Sequence, residues 1–281
     1  SVVSSTVINE NEGTPHLIGM QRDVGNTFRL FVDGTPDGNE PDDGSDLTPP
    51  PLRIGSHAIR DAMDGDIAEV LAFEKALNEA ERTIVHTYLA QKYNRWTGGD
   101  EVLTYNYRDA FPGDFAGIGR ISETDFHLES TSSVLTLKNE VLSNNTFVLF
   151  GHDEAPTNFS ATSTVNGDSN TAQQLERKWR VDLVNESVQG VDITVDRSAL
   201  SLPSDFNDYV LLVSPDGNFA SGATVYPVDS NGRAQGVALE DGSYVGVAAI
   251  ERTLAFNRAT NSDFENAGGN QVGDAFAPPS T

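Results

Sequence analysis

Leu175-Glu176-Arg177-Lys178-Trp179-Arg180-Val181-Asp182-Leu183-Val184 is the stretch that decides the fold class. Leu175, Trp179, Val181 and Leu183 fall on alternate positions, Arg177 being the exception among them, and Glu176, Lys178, Arg180 and Asp182 fill the places between. Side chains alternate across a strand, so this is a half-buried strand with one face to a core. Arg177 breaks the alternation, which places the strand's start after it. Outward from this stretch, further apolar runs follow at short intervals: Phe115–Ile121, Val134–Leu137, Thr146–Gly151, Val188–Asp196, Tyr209–Ser214, Ala223–Val228 and Ser243–Ile250. Pro215-Asp216-Gly217-Asn218, Asn231-Gly232 and Asp241-Gly242 are turn signals between them. Pro156–Asn170 reads as a polar loop, and no helical period interrupts the strands. An antiparallel sandwich of the Ig-like kind is the expected solution.

Residues 1–74 read as short strands too: Val2–Ile8, His16–Arg22, Phe28–Val32, Leu52–Ile54 and Ile67–Phe73. Val32-Asp33-Gly34 offers a tight turn, and Thr35–Pro51 reads as a polar loop. One helix follows. Asn78 can cap it, Glu81 completes a capping box, and Ala80, Ile84 and Tyr88, with Val85 and Leu89, recur at helical spacing. The pattern fades near Tyr93-Asn94, and Trp96-Thr97-Gly98-Gly99-Asp100 reads as a linker. The expected domains are 1–97 and 98–251, with 252–281 a linker or tail. No signal peptide is visible, and the chain opens on Ser1 in a strand-like run, as expected of a fragment.

The 281 residues include 42 Asp and Glu against 18 Lys and Arg, a formal net charge of -24, spread along the chain. Such a surface repels nucleic acid and anionic membrane, which argues against both as partners. No apolar run is long enough to span a bilayer. Cysteine is absent, which excludes thiol chemistry and accords with an exported bacterial protein.

Two stretches resemble known families. Phe28-Arg29-Leu30-Phe31-Val32-Asp33-Gly34, Pro51-Leu52-Arg53-Ile54-Gly55, Asp64-Gly65-Asp66-Ile67-Ala68-Glu69-Val70 and Ala76-Leu77-Asn78-Glu79-Ala80-Glu81 occur in the order and spacing of the C-terminal half of laminin-G-like, concanavalin-A-like jelly rolls. The resemblance implies a jelly-roll portion closed by one helix, with that family's earlier strands lying before Ser1. Tyr88–Tyr93, Phe115–Arg120, Phe147–His152, Arg177–Val181 and Leu211–Gly217 resemble an uncharacterised β-rich domain that follows laminin-G-like modules in large exported bacterial proteins. That likeness implies an extracellular or cell-surface location and brings no known catalytic residues. The expected fold class is therefore all-β: a concanavalin-like jelly-roll portion with one C-terminal helix, then an antiparallel Ig-like sandwich.

Asp64, Asp66 and Glu69 form the densest acidic cluster in a strand context. A strand-borne glycosidase site needs carboxyls on one face, and Glu69, five past Asp64, falls on the other. The competing reading has Asp64-Gly65 in a turn and Glu69 bonded to backbone or a cation. Asp37, Asp42, Asp43 and Asp46, with Asp64 and Asp66, are the candidate calcium ligands, calcium being a hard cation that takes six to eight oxygens. The competing reading is a solvated hairpin loop, and Asp216-Gly217-Asn218 reads as a plain turn. His16, His57, His86, His127 and His152 show no zinc spacing, and His86 reads as surface or boundary packing. Trp96, Tyr105, Tyr107 and Phe111 could stack on sugar or pack an interdomain seam; Trp179 reads as core. Three Asn-x-Ser/Thr matches, at Asn144, Asn158 and Asn185, carry no weight in an Asn- and Ser-rich bacterial chain. The function expected is a non-catalytic adhesin module that binds a glycan or a surface protein with calcium. The alternatives are a spacer or filament subunit that self-associates by strand exchange, and an accessory domain of a glycan-degrading enzyme.

Overall fold

A computed structural model of the chain describes residues 4–6, 13, 15–23, 27–41, 54–57, 60–63, 65–94, 102–160, 165, 172–185 and 187–251. The described chain opens with β1 Ile18–Asp23, β2 Thr27–Val32 and β3 Thr35–Pro41, then a short hairpin of β4 Ser56–His57 and β5 Arg60–Ala62. Helix α1 Glu79–Lys92 follows. After it come β6 Gly113–Arg120, β7 Phe126–His127, β8 Glu129–Ser132, β9 Leu135–Lys138, β10 Thr146–His152 and β11 Phe159–Ser160. The last strands are β12 Ala172–Leu175, β13 Trp179–Val184, β14 Val188–Val195, β15 Asp208–Ser214, β16 Thr224–Pro227, β17 Arg233–Leu239 and β18 Tyr244–Ile250. All pairings among these strands are antiparallel. The molecule is all-β, with α1 the single α-helix among the described residues.

Two sheets face each other across the main core. The large sheet runs β11-β12-β18-β13-β10-β6-β7, with β15 and β16 joined to it through β18; the small sheet runs β17-β14-β9-β8. Ile118, Val148, Phe150, Trp179, Val181, Leu211 and Val247 of the large sheet meet Leu135, Leu137, Val191, Ile193, Val237 and Leu239 of the small one. Trp179 is wholly buried, and its indole N–H donates to the Ser132 carbonyl oxygen at 3.1 Å, joining the two sheets by a hydrogen bond at the core. The alternation on β13 has the expected phase. The strand begins at Trp179, and Leu175 belongs to β12, with Arg177 in the break between them.

The central strands of the large sheet are buried on both faces. β10 and β15 are buried at every position, which is why their sequences run apolar without alternation. On the outer face Phe147 and Leu149 pack with Ala80, Tyr105 and Phe111, and Val210, Leu212, Ala248 and Ile250 pack with Phe219 and Ala223. The outward residues of β13 are covered as well. The Arg180 guanidinium lies between the rings of Tyr107 and Tyr244, 4.1 and 4.0 Å from their centres. Asp182 accepts the Asn106 N–H at 2.5 Å, and burial pushes its carboxyl above the ordinary value. Tyr105 and Phe111 thus seal an inner seam, as the sequence reading of this cluster allowed; Trp96 lies outside the described residues.

Helix α1 forms as read. Asn78 Oδ1 accepts the Glu81 N–H at 3.0 Å and Glu81 Oε2 accepts the Asn78 N–H at 3.1 Å, a complete capping box. None of residues 80–91 is exposed. One side of the helix meets β6, where Ile84 packs over Gly117; a Cβ there would stand 2.9 Å from Leu149 Cδ2. The next side meets the three-stranded sheet β1-β2-β3: Arg82 lies 4.9 Å over the Phe31 ring and His86 is 5.9 Å from it. His86 is therefore a buried layer residue rather than surface packing. The helix is a shared middle layer, which is why its buried positions include Arg82, Thr83, His86 and Thr87 and not only an apolar stripe.

Other elements depart from expectation. Asp33 and Gly34 have φ of 52° and 75°, a two-residue turn with both centres left-handed, and this turn returns the chain along β2 as β3. The first part of the expected polar loop Thr35–Pro51 is thus an edge strand, where prolines are tolerated; residues 42–53 lie outside the described residues, as does most of Val2–Ile8. Ile67–Phe73 joins no sheet. Strand β17 escaped notice because Gly236, at φ 67°, sits in a bulge that breaks its alternation.

Replacing Asn78 by Ala is expected to lower unfolding stability by about 1 kcal/mol, the usual worth of an N-cap. Gly119→Ala places a methyl inside the Phe147 ring and is expected to cost about 1–3 kcal/mol. Urea titration measures both; a neutral Gly119→Ala would mean that the β6–β10 packing is looser than described.

Candidate functional site

The expected metal ligands divide sharply. Asp37, on β3, has both carboxylate oxygens occupied. Oδ1 accepts the Ser5 hydroxyl at 2.7 Å, the Thr6 hydroxyl at 2.7 Å and the Thr6 N–H at 3.0 Å; Oδ2 accepts the Ser5 N–H at 3.0 Å. The hydroxyls of Ser4, Thr6 and Ser5 hold this carboxyl well below the usual carboxylate range. Its geometry is that of an anchor pinning residues 4–6 to β3. Asp66 is exposed. Asp42, Asp43, Asp46 and Asp64 lie outside the described residues. Among the described residues no three His, Asp or Glu side chains come together as a metal-sized group.

Glu69 is also engaged. Its carboxylate accepts the Tyr88 hydroxyl at 3.1 Å and the Tyr93 hydroxyl at 3.0 Å, and lies 3.2 Å from the Lys92 ammonium. Lys92 in turn donates to the Tyr88 oxygen at 2.7 Å. Partial burial acts to raise the Glu69 carboxyl, but the hydrogen bonds from Lys92, Tyr93 and Tyr88 outweigh it and leave it below the ordinary value. Glu69 faces α1 and bonds a cation, the bland reading of the acidic cluster. It fastens the segment from Asp66 to Phe73 onto the helix.

The turn acids are similarly committed. Asp216 accepts the Asn218 N–H and the Ser214 hydroxyl, a plain turn as expected. Sequence reading missed one polar cluster, at the end of β10. The His152 ring is buried, with Nε2 3.2 Å from Asp114 Oδ2 and 3.4 Å from the Arg177 guanidinium, and Nδ1 accepting the Glu154 N–H at 3.0 Å. Arg177 donates to the Ser133 hydroxyl at 2.6 Å and to the Ala155 carbonyl at 2.7 Å. The break that Arg177 makes in the β13 alternation was the available signal: its side chain leaves the strand pattern to hold the turns around His152.

The described surface is uneven in its apolar exposure. Ile18, Met20, Ile54, Met63, Ile67, Val70, Leu71 and Phe73 are each between 41% and 72% exposed. Elsewhere among the described residues only Phe126 and Val141 are exposed large hydrophobics, and Phe126 lies under the Arg120 guanidinium. Scattered exposed hydrophobics are ordinary, but a concentration of them marks an interaction surface.

Residues 81–243 match the model of a protein family described as Domain of unknown function (DUF8202). The chain belongs to this family. No curated protein matches the chain, and no solved structure does. The DUF8202 region begins inside α1 and runs to the turn before β18, so it takes in the helix and nearly all of the sandwich. The domain boundary expected at residue 97 lies outside the described residues; by contact, α1 belongs with the DUF8202 sandwich that it covers. The eight exposed apolar side chains all lie before the DUF8202 region.

The lowered Glu69 value sets a sign. A carboxylate held below its unfolded value contributes stability above that value, about 4.3 for glutamate, and loses it as pH falls through the folded value. Glu69→Gln is therefore expected to be less stable than the parent at pH 7, with the gap closing as pH falls below about 4. Urea melts of both proteins between neutral and acid pH measure the gap; a gap independent of pH would show that the Glu69 charge does not hold the segment.

Proposed function

We propose that this chain is a non-catalytic module of a secreted or cell-surface bacterial adhesin, with its laminin-G-like N-terminal portion binding a carbohydrate or protein ligand. The observation that carries this reading is the placement of exposed apolar side chains: eight between Ile18 and Phe73, against two, Phe126 and Val141, among the described residues of the sandwich. The described acids support it, because Asp37, Glu69 and Asp216 are spent on holding loops and segments rather than converging on a bond to be cleaved. The net charge of -24 suits an extracellular surface in salty surroundings. Calcium assistance would rest on Asp37, Asp42, Asp43, Asp46, Asp64 and Asp66.

A second reading is a structural spacer or self-assembling extracellular filament subunit. It is favoured by Ile67–Phe73, a strand-like sequence without a strand partner.

A glycan and polysaccharide binding screen on the whole chain, with calcium and with chelator, tests the first reading. Binding is expected, and binding lost in chelator would assign calcium its part. No binding in either condition, to glycans or to immobilised matrix proteins, removes the adhesin reading.

A further inference from the structure

We infer that the uncovered apolar surface before α1 is where two copies of this chain meet, each offering the segment Asp66–Phe73 to the other as a strand. The inference rests on the second reading above and names its surface.

The segment reads Asp-Ile-Ala-Glu-Val-Leu-Ala-Phe, a composition suited to a strand. Among the described residues, no backbone N–H from Asp66 to Phe73 donates to another backbone group, and no backbone group donates to its carbonyls. The segment's polar attachments there are to side chains: the Glu69 bonds to Tyr88, Tyr93 and Lys92, and a Tyr93 hydroxyl 3.3 Å from the Ala68 carbonyl. The segment is thus held against α1 without a backbone ladder to any described strand. Chains in water do not leave a long apolar strand edge open without consequence; it is a template for pairing.

The area is sufficient. Ile54, Met63, Ile67, Val70, Leu71 and Phe73 are about half exposed. At about 200 Å² for a large apolar side chain they leave roughly 600 Å² uncovered. Ile67 reaches to Gly55, whose carbonyl accepts the Met63 N–H, so the segment and the β4–β5 hairpin make one patch. On β1, Gly19 faces Phe31 and His86, so Ile18 and Met20 lie on the opposite, uncovered face. The patch lies at the upper end of what monomers expose, about 300–600 Å², and near one partner's share of a standard interface, about 800 Å².

Charge and symmetry select a second copy as the occupant. An antiparallel pair of one strand with itself is self-complementary, so a single two-fold contact satisfies both backbones. The one charge inside Ile67–Phe73 is Glu69, and Lys92 neutralises it. Between Ile67 and Phe73 the meeting strip therefore carries no net charge, within a chain of net charge -24, and Asp66 stands at its end. Two such chains repel at long range and attract at contact, so association strengthens as salt shortens the screening length from about 30 Å at 0.01 M to about 8 Å at 0.15 M. A basic partner or a cation-bridged ligand would show the reverse dependence.

Sedimentation velocity of the whole chain, over a wide concentration range at low and at physiological salt, tests this. A dimer that grows with concentration and with salt is expected. The double substitution Val70→Asp, Phe73→Asp should weaken it roughly tenfold or more, while Val141→Asp, on the sandwich, should leave it unchanged. Should the double variant unfold, hydrogen exchange of the parent decides instead: protection at residues 66–73 rises with protein concentration if they form the contact. A chain that stays monomeric throughout overturns both the surface and the self-assembly reading. A dimer indifferent to the double substitution, or one without concentration-dependent protection at 66–73, overturns this surface and leaves self-assembly standing. Neither result bears on ligand binding.

Discussion

The central strands of the large sheet are buried on both faces, and much of the rest of the molecule is arranged to keep them so. Burial of apolar surface is the main favourable term in folding, and β10 and β15 are buried at every position, with apolar side chains along most of their length. One side is met by the small sheet. The other needs three separate covers: helix α1, the aromatic stretch from Tyr105 to Phe111, and the loop carrying Phe219 and Ala223. These covers are parts of the chain that look, one at a time, like a terminal helix, a linker and a turn.

Covering a sheet's outer face brings polar groups under the lid, and several of them are engaged there. Arg180 is stacked between two tyrosines, Asp182 receives a backbone N–H from Asn106, and the Tyr105 hydroxyl donates to the Arg180 carbonyl at 3.0 Å. A buried polar group left unpaired would cost several times what its hydrogen bond contributes. The small residues of β6 serve the same end: Gly117 lets α1 approach, and Gly119 accommodates the Phe147 ring.

The N-terminal portion is built differently. Its three-stranded sheet has one face on α1, through Phe31, His86 and Arg82, and the other open with Ile18 and Met20 exposed. Polar side chains there and elsewhere work as local fasteners: Asp37 holds residues 5 and 6, Glu69 holds its segment to the helix, and Asn78 and Glu81 hold the helix start. Among the described residues, the large apolar side chains left exposed are thus concentrated before α1.

The sequence by itself determined the all-β class, the phase of β13, the Asp33-Gly34 turn and the capping box of α1. All four are local: a period of two, a left-handed pair of residues, and a side chain bonded three residues away. Only the tertiary structure decided what lies against what. That His86 and Arg82 are buried follows from a second sheet on the helix, which helical periodicity does not contain. That Thr35–Pro41 is a strand follows from its neighbour β2 rather than from its own polar, proline-bearing residues. The segment Ile67–Phe73 has the composition of a strand and is not one in this chain, because a strand is completed by the backbone beside it.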